Sequence, residues 1–314
     1  CLMFITADLG RPDRFHHMLL RFNFPISILT WDVIALNGYL VLNMHICGYL
    51  IWCAYNKRKP TKKFYIPFVF LAIAWALSIH TVTAFLYSGL GARPFWNSAV
   101  IAPRFLASAF AAGPSLIILT LQVIRVVTGY PVSEKAILTL KGIVTVALGV
   151  NMFLLISEVF TEFYTGTSHS VSAKYLFFGL HGNHALVPWI WTAIGLNSLA
   201  LIALLTPISK RRWVLNFACM AMIVGIWIEK GMGLIVPAFI PSPIGEIVEY
   251  VPTLNEVLVC TGIWAFGALV YTILIRVTIP VLYGELTIDT VYHTDPALKE
   301  DKKQVLNDTA SVSQ

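Results

Sequence analysis

Several side chains that can hold or transfer a proton lie inside long apolar stretches of this sequence. Asp32, Asn37, His80 and Tyr87 occur in the first two stretches. An unpaired ionisable group in lipid costs roughly 3 kcal/mol or more, so Asp32 and His80 are candidates for function. Asn37 and Tyr87 are polar groups that can hydrogen-bond a ligand beside them. His80 and Tyr87 share one helical face and together can hydrogen-bond a quinone carbonyl, and histidine exchanges its proton near neutral pH. The alternative is that these groups form hydrogen bonds between helices or reach the membrane interface.

The next two apolar stretches each carry polar side chains along one face. Steps of three and four residues define the first stripe: Arg104, Ser108, Ala111, Ser115, Ile118, Gln122 and Arg125. The second stripe has these members: Lys141, Leu148, Asn151, Leu155, Glu158 and Glu162. Two such helices facing each other predict a wet path for protons, carried by Arg104, Ser115, Lys141, Asn151, Glu158 and Glu162. The alternative is close packing through small residues, with the terminal charges reaching the interface.

Composition identifies the elements that must position these side chains. The chain is 57% hydrophobic and 12% charged, with a mean hydropathy of +0.75, whereas a soluble domain carries about 25% charged residues. A membrane-spanning helix needs about 20 mostly apolar residues. Qualifying segments lie near 28–55, 64–88, 99–128, 136–163, 186–207, 213–236 and 254–283. The sequence therefore predicts an all-α, polytopic membrane protein surrounded by lipid.

The loops between these segments predict their orientation. Loops rich in Lys and Arg, such as 56–63 and 208–212, alternate with loops poor in both. The positive-inside rule places the basic loops, and with them the polar tail 284–314, in the cytoplasm. The opposite, outer face has longer loops, including 164–185 and 237–253, rich in Gly, Pro, His and aromatic residues. Such loops favour docking of a partner protein over a merely solvated rim.

Several other kinds of chemistry do not fit the residue pattern. The five cysteines form no C-x-x-C pair, so neither a cysteine-ligated iron–sulfur cluster nor a structural metal is expected. His45 and His80 differ in depth by roughly 13 Å, which argues against a haem. No nucleotide or hydrolase motif occurs, and basic residues confined to short loops do not indicate nucleic acid. The segment 229–233 follows no strand, so we interpret it as a helix loosened by glycine.

One short segment carries a more specific signal. Ala7-Asp8-Leu9-Gly10-Arg11-Pro12-Asp13-Arg14-Phe15 resembles the D-L-G-R-P-x-R-F segment of the NrfD-like family, the membrane subunits of quinone-linked redox complexes such as polysulfide reductase. Thr30-Trp31-Asp32, Asn151-Met152-Phe153 and the segment 158–163 are similar to the longer, ten-helix branch of that family. Within this branch, the chain resembles the subunit of a membrane complex found in sulfur-metabolising prokaryotes. The resemblance covers about residues 1–285.

The resemblance implies an activity. Such subunits lack haem and iron–sulfur clusters, and they exchange electrons between menaquinone or ubiquinone and a ferredoxin-like iron–sulfur protein at the outer face of a prokaryotic cytoplasmic membrane. A multihaem cytochrome c and other membrane subunits belong to the same complex. The family quinone pocket lies near the outer surface of the first four-helix bundle. The residues expected there are His80, Tyr87, Asp32 and Asn37, with Asp8 and Arg11 shaping the outer wall.

The resemblance also divides the chain. Seven of ten helices would be visible, in two four-helix bundles plus peripheral helices. The expected parts are an outer-face segment after a missing helix (1–27), the remainder of the quinone-site bundle (28–98), the second bundle (99–253), a peripheral helix (254–283) and the tail (284–314). Two other functions stay open at this point. One is a non-redox membrane anchor, and the other is a proton-coupled transporter, which inverted repeats or helices broken in mid-membrane would favour.

Overall fold

The computed structural model describes residues 2–21, 23–164, 166, 170–242 and 244–290, and these contain helices and no β-strand. The α-helices are α1 (Leu2–Asp8), α2 (His17–Leu20), α3 (Ile28–Tyr55), α4 (Lys62–Ser88), α5 (Ile101–Thr128), α6 (Glu134–Tyr164), α7 (Ser170–Phe178), α8 (Val187–Leu205), α9 (Arg212–Lys230) and α10 (Leu254–Tyr283). Seven are long and apolar enough to cross a membrane, with α9 continuing to Phe239. They match the seven predicted segments, so the predicted all-α, polytopic membrane fold is confirmed.

Hydroxyl side chains inside the spanning helices bond to their own backbone. Thr81, Ser115 and Thr145 each donate to the carbonyl four residues earlier, at 2.8 Å. Lipid offers no water to satisfy a polar group, so these bonds let a hydroxyl stay within an apolar helix. At its end, α5 stops at Gly129, which takes a left-handed φ of 68° while its N–H caps the Arg125 carbonyl.

The described residues form two compact units, and the first comprises 2–21, 33–76 and 254–290. In it α1 packs on α10, with the Phe4 ring edge-on to Trp264 at 6.3 Å. The indole N–H of Trp75 on α4 donates to the Ala35 carbonyl of α3 at 2.8 Å. A Cβ on Gly38 would lie 2.5 Å from the Trp75 ring, so the absence of a side chain at Gly38 lets the two helices approach.

The second unit comprises 23–32 and 77–253, without the few undescribed residues. Its centre is a ring of four helices in which α5 contacts α6 and α9, while α8 contacts α9 and α6. Small and branched apolar side chains fill the middle of this bundle: Ala111, Ile118, Val144, Leu148, Ala200, Ala218 and Met222. The bundle positions the polar faces of α5 and α6 toward its interior.

One end of this bundle is closed by an apolar layer, here called the end cover. It consists of α7, the 3₁₀ turn Pro94–Trp96 and the residues that follow α9. The Trp96 indole donates to the Leu234 carbonyl, and the Ser172 hydroxyl to the Ile240 carbonyl, each at 2.8 Å. The first residues after α9 form a π-helical turn, Gly231–Ile235, as expected for a helix loosened by glycine. The end cover shields whatever lies below it from water.

Parts of the predicted organisation are not tested by the structure. The division at 27, 98, 253 and 283 stays a prediction. Residues 291–314 of the predicted tail, together with 165, 167–169 and 243 of the predicted outer loops, lie outside the described residues.

Candidate functional site

The bundle of the second unit encloses a pair of ion pairs centred on Arg104. This residue lies in the first turn of α5, and its guanidinium sits between Glu158 of α6 and Glu229 of α9. Nη2 lies 2.9 Å and Nε 3.2 Å from the same Glu229 oxygen, and Nη1 donates to Glu158. The three side chains are 3%, 6% and 0% exposed. Charges buried this deeply persist only when they are paired.

The Glu229 carboxylate accepts hydrogen bonds from residues of all three neighbouring helices. Its second oxygen accepts hydrogen bonds from Asn151 of α6 at 3.1 Å and from Asn197 of α8 at 3.0 Å. The Lys230 ammonium lies 3.4 Å from the first oxygen and 5.0 Å from the centre of the Phe105 ring. Arg104 and Lys230 therefore both lie next to the Glu229 carboxylate, and Arg104 also pairs with Glu158. We call these six polar residues, Arg104, Asn151, Glu158, Asn197, Glu229 and Lys230, the charge cluster.

A glycine makes this arrangement possible. Gly225 precedes Glu229 by one turn of α9, and a Cβ there would collide with the Asn197 amide and lie 3.2 Å from the Ala193 carbonyl. Any larger residue would push Asn197 away from the Glu229 carboxylate. The close contact of α8 with α9 thus sets the position of a polar group in the cluster.

A small cavity of about 20 Å³ adjoins the charge cluster. Arg104, Glu158 and Glu162 line one side, and apolar side chains of the end cover, among them Phe95 and Leu176, line the other. A cavity of this size has room for about one water molecule. The second carboxylate oxygen of Glu158 is buried and has no hydrogen-bond partner among the described residues. The cavity can therefore hold a water that receives or delivers a proton at Glu158.

The predicted proton-path residues separate into two groups. Arg104, Asn151 and Glu158 meet in the charge cluster, and Glu162 lines the adjoining cavity. Ser115 is fully buried further along α5, and its hydroxyl donates to the Ala111 carbonyl of the same helix. Lys141 donates to Ser209 at 2.5 Å, at the end of the bundle where the basic loops lie. The role of these residues in proton movement stays a prediction.

Sequence reasoning misses three members of the cluster: Asn197, Glu229 and Lys230. From the sequence, Glu229 is one of several charges near the outer face, and the Glu-Lys pair marks the end of a helix. The sequence does contain one signal for these residues, because Glu229, Lys230 and Asn197 all lie within otherwise apolar spans. Buried charges need partners, so Arg104 and Glu158 alone already imply a further polar group.

The N-terminal end of α3 and the C-terminal end of α4 bring part of the predicted quinone site together. The Thr83 hydroxyl donates to the Asp32 carboxylate at 2.7 Å, and Asp32 is only 2% exposed. His80 precedes Thr83 by three residues and so shares its helical face. The Tyr87 ring packs on Trp96 at 5.0 Å and on Phe105 at 6.0 Å. Tyr87 therefore contacts the aromatic ring over which Lys230 of the charge cluster lies.

Three further predicted quinone-site residues belong to the first unit. The Asn37 amide donates to its own helix at Val33, at 2.8 Å, and lines an apolar groove of about 510 Å³ together with Trp75. Arg11 forms an exposed ion pair with Asp13 at 3.0 Å, which holds the pKa of the Asp13 carboxyl below its ordinary value. Asp8 ends α1, and its side chain lies outside the described residues. Their part in a quinone site stays a prediction.

Metal ligands are not grouped in the described part of the chain. No set of three or more His, Cys, Asp or Glu side chains there is arranged to hold a metal ion. The four described cysteines, Cys47, Cys53, Cys219 and Cys260, are free thiols.

One family model and three known proteins match this chain. The family model for polysulphide reductase, NrfD, matches residues 1–239. The chain is 23% identical over 291 residues to the Hdr-like menaquinol oxidoreductase integral membrane subunit of Archaeoglobus fulgidus, covering 87% of this chain and 70% of that protein. It is 23% identical over 310 residues to a Halobacterium salinarum protein named as a membrane subunit of dimethyl sulfoxide reductase (85% and 69% covered). A selenate reductase subunit of Mesobacillus selenatarsenatis is also 23% identical, over 319 residues (88% and 73%).

Proposed function

This chain belongs to the polysulphide reductase NrfD family, and we propose that it is the quinol-interacting membrane subunit of a respiratory redox complex. The observation that carries the proposal is the buried Asp32 carboxylate, held by Thr83 on the helical face that also bears His80. The relative from Archaeoglobus fulgidus, named for menaquinol oxidation, supports the choice of substrate. Menaquinone is the quinone we propose.

The geometry suits removal of protons from a quinol. A quinol that is oxidised to a quinone releases both hydroxyl protons with its electrons, so a site needs groups that accept them. In this proposal Asp32 accepts one proton as its carboxylate, while Thr83 fixes the orientation of that carboxylate. His80 hydrogen-bonds the other quinol oxygen and takes its proton.

The electrons leave this chain for a partner. We propose a ferredoxin-like iron–sulfur subunit docked at the face opposite the basic loops, within a complex that also holds a multihaem cytochrome c and other membrane subunits. The basic loops and the tail then face the cytoplasm. The chain needs no haem or iron–sulfur cluster of its own in this scheme. We propose that the chain serves in sulfur metabolism as DsrP does, the NrfD-like subunit of the Dsr membrane complex. Its segment 7–15 and its resemblance to the ten-helix branch support this choice.

Replacing His80 by alanine is the direct test. We expect the intact complex to bind a quinone analogue at least roughly tenfold more weakly, because a buried hydrogen-bond partner is lost. Binding is measured by calorimetry, and turnover with a soluble quinol. His45→Ala is the matched control, since His45 lies within a spanning helix but bonds the Phe64 carbonyl at 3.1 Å. Unchanged binding and turnover in His80→Ala would contradict the pocket, and quinol-driven reduction with the pocket blocked would favour a non-redox anchor.

The charge cluster favours a second role, in proton movement coupled to quinol oxidation. It is buried, it adjoins a cavity with room for water, and Phe105 links it to Tyr87 of the proposed quinone site. Intramembrane ionisable groups with such partners mark proton relays in many membrane proteins. A proton-coupled transporter without redox function would use the same cluster but would not need a quinol.

Glu158→Gln tests this role separately. We expect quinol oxidation to continue while charge movement across a liposome membrane falls roughly tenfold or more, because an amide cannot carry the proton. Charge movement is followed with a potential-sensitive dye. Glu134→Gln serves as the control, since Glu134 is 57% exposed and pairs with Arg125 and Arg212 at the other end of the bundle. Normal charge movement in Glu158→Gln would remove the proton role and leave the quinol role standing.

A further inference from the structure

The loop that joins α3 to α4 carries a dense set of cations. The name basic loop is used here for residues 56–63, which are the connecting loop and the first two residues of α4. Its five basic side chains are all exposed: Lys57, Arg58, Lys59, Lys62 and Lys63. Lys57 pairs with Asp289 at 3.4 Å. Within the described ranges the other four have no carboxylate at ion-pair distance. The basic loop thus presents four exposed cations that are not paired with a carboxylate in the described part of the chain.

The charges at the loops of the second unit are arranged differently. Glu134 binds both Arg125 and Arg212 at 2.8 Å, and Lys141 donates to Ser209. Those cations are satisfied by the protein itself. The exposed Lys210 and Arg211 of the second unit also have no carboxylate at ion-pair distance within the described residues, so what sets the basic loop apart must be the side chains around its cations.

Aromatic side chains hold the basic loop at a defined depth. The Arg58 guanidinium lies 5.9 Å over the Trp52 ring, and the Thr61 N–H donates to the Tyr49 hydroxyl at 3.0 Å. Tyr49 packs against Trp52 and Phe64, with ring centres 6.4 and 5.9 Å apart. Trp52 and Phe64 remain 52% and 60% exposed. Amphipathic rings at the ends of spanning helices lie at the level of the lipid headgroups, so the cations above them lie there as well.

From this placement we propose that the basic loop binds the headgroup of an anionic phospholipid. The phosphate is bound by Arg58 and Lys59, and the exposed Trp52 and Phe64 rings pack against the upper part of the acyl chains. A lipid fits better than a free phosphate ion, because the site joins exposed cations to exposed apolar rings at the membrane surface. Clusters of basic residues next to a spanning helix attract anionic lipids in this way.

The test compares two double variants that remove the same charge. Arg58→Gln with Lys59→Gln alters the basic loop, and Lys210→Gln with Arg211→Gln alters an exposed loop of the second unit, where no cation–ring contact occurs among the described residues. Each complex is reconstituted in phosphatidylcholine vesicles containing a trace of spin-labelled phosphatidylglycerol or phosphatidylcholine. The fraction of immobilised label gives the preference for the anionic lipid.

We expect the unaltered protein to prefer phosphatidylglycerol, the basic-loop variant to lose that preference, and the other double variant to keep it. The preference should weaken as salt rises, and the charge-preserving pair Arg58→Lys with Lys59→Arg should retain it. Equal losses in both charge-removing variants would mean that only net charge matters, and would overturn the site. Displacement of the label by millimolar inorganic phosphate would show an ion site instead and would equally overturn the proposal.

Discussion

Replacing Glu229 by glutamine is expected to lower the free energy of unfolding by about 3–5 kcal/mol, the largest loss among the single changes proposed. The carboxylate is fully buried, and it accepts from Arg104, Asn151 and Asn197. Glutamine keeps the shape but removes the charge. Of its two ion pairs among the described residues, Arg104 then keeps the one with Glu158, in a region that the end cover separates from bulk water.

The measurement is chemical unfolding of the purified protein in mixed micelles, followed by its far-ultraviolet circular dichroism. Glu134→Gln provides a matched control with the same chemical change. Glu134 is more than half exposed, so its loss should cost no more than about 1 kcal/mol. Similar small losses in both variants would mean that water reaches Glu229, and the end cover would then not exclude solvent.

Replacing Asp32 by asparagine is expected to lower quinol-dependent turnover roughly 100-fold or more while leaving the fold intact. An amide cannot accept a proton from the quinol, and the loss of a positioned acid–base group typically has an effect of this size. In the unaltered protein the Thr83 hydroxyl donates to the Asp32 carboxylate at 2.7 Å. The asparagine oxygen can still accept this hydrogen bond. Stability should therefore change little, because a buried charge is replaced by a neutral group of the same shape.

Turnover is measured as quinol-driven reduction of the acceptor by the intact complex, together with the thermal unfolding midpoint of each variant. Asp13→Asn is the control. Asp13 is exposed and pairs with Arg11, so its variant should keep near-normal turnover. Full turnover in Asp32→Asn would assign the proton acceptor to another residue, whereas loss of both stability and turnover would indicate a structural role for Asp32.

The spanning helices could be predicted because lipid imposes a simple rule on the sequence. Every backbone polar group must be bonded within its own helix, so length and apolar content are enough to find the segments. The stripe on α5 was predictable for a related reason: Arg104, Ser108 and Ser115 follow helical spacing and are all buried. Periodicity shows which face of a helix is turned inward, and in α5 the predicted face is the buried one.

The partners of those side chains could not be predicted in the same way. Periodicity does not tell which distant helix supplies the facing group. Arg104 and Glu229 are 125 residues apart, and Trp96 and Leu234 are 138 residues apart. Gly225 gave no local signal either, because its importance comes from the Asn197 amide on another helix. Such contacts follow from packing, which a single sequence encodes only indirectly.

The separation of Arg104 from its partners bears on the order in which this protein is made. The chain is synthesised from its N-terminus, so α5 is made before both partners of Arg104. Glu158 comes 54 residues after Arg104, and Glu229 comes 125 residues after it. Because Arg104 lies in the first turn of α5, its long side chain can reach toward the lipid headgroups until those partners are made. The charge cluster is therefore complete only after α9 has been synthesised.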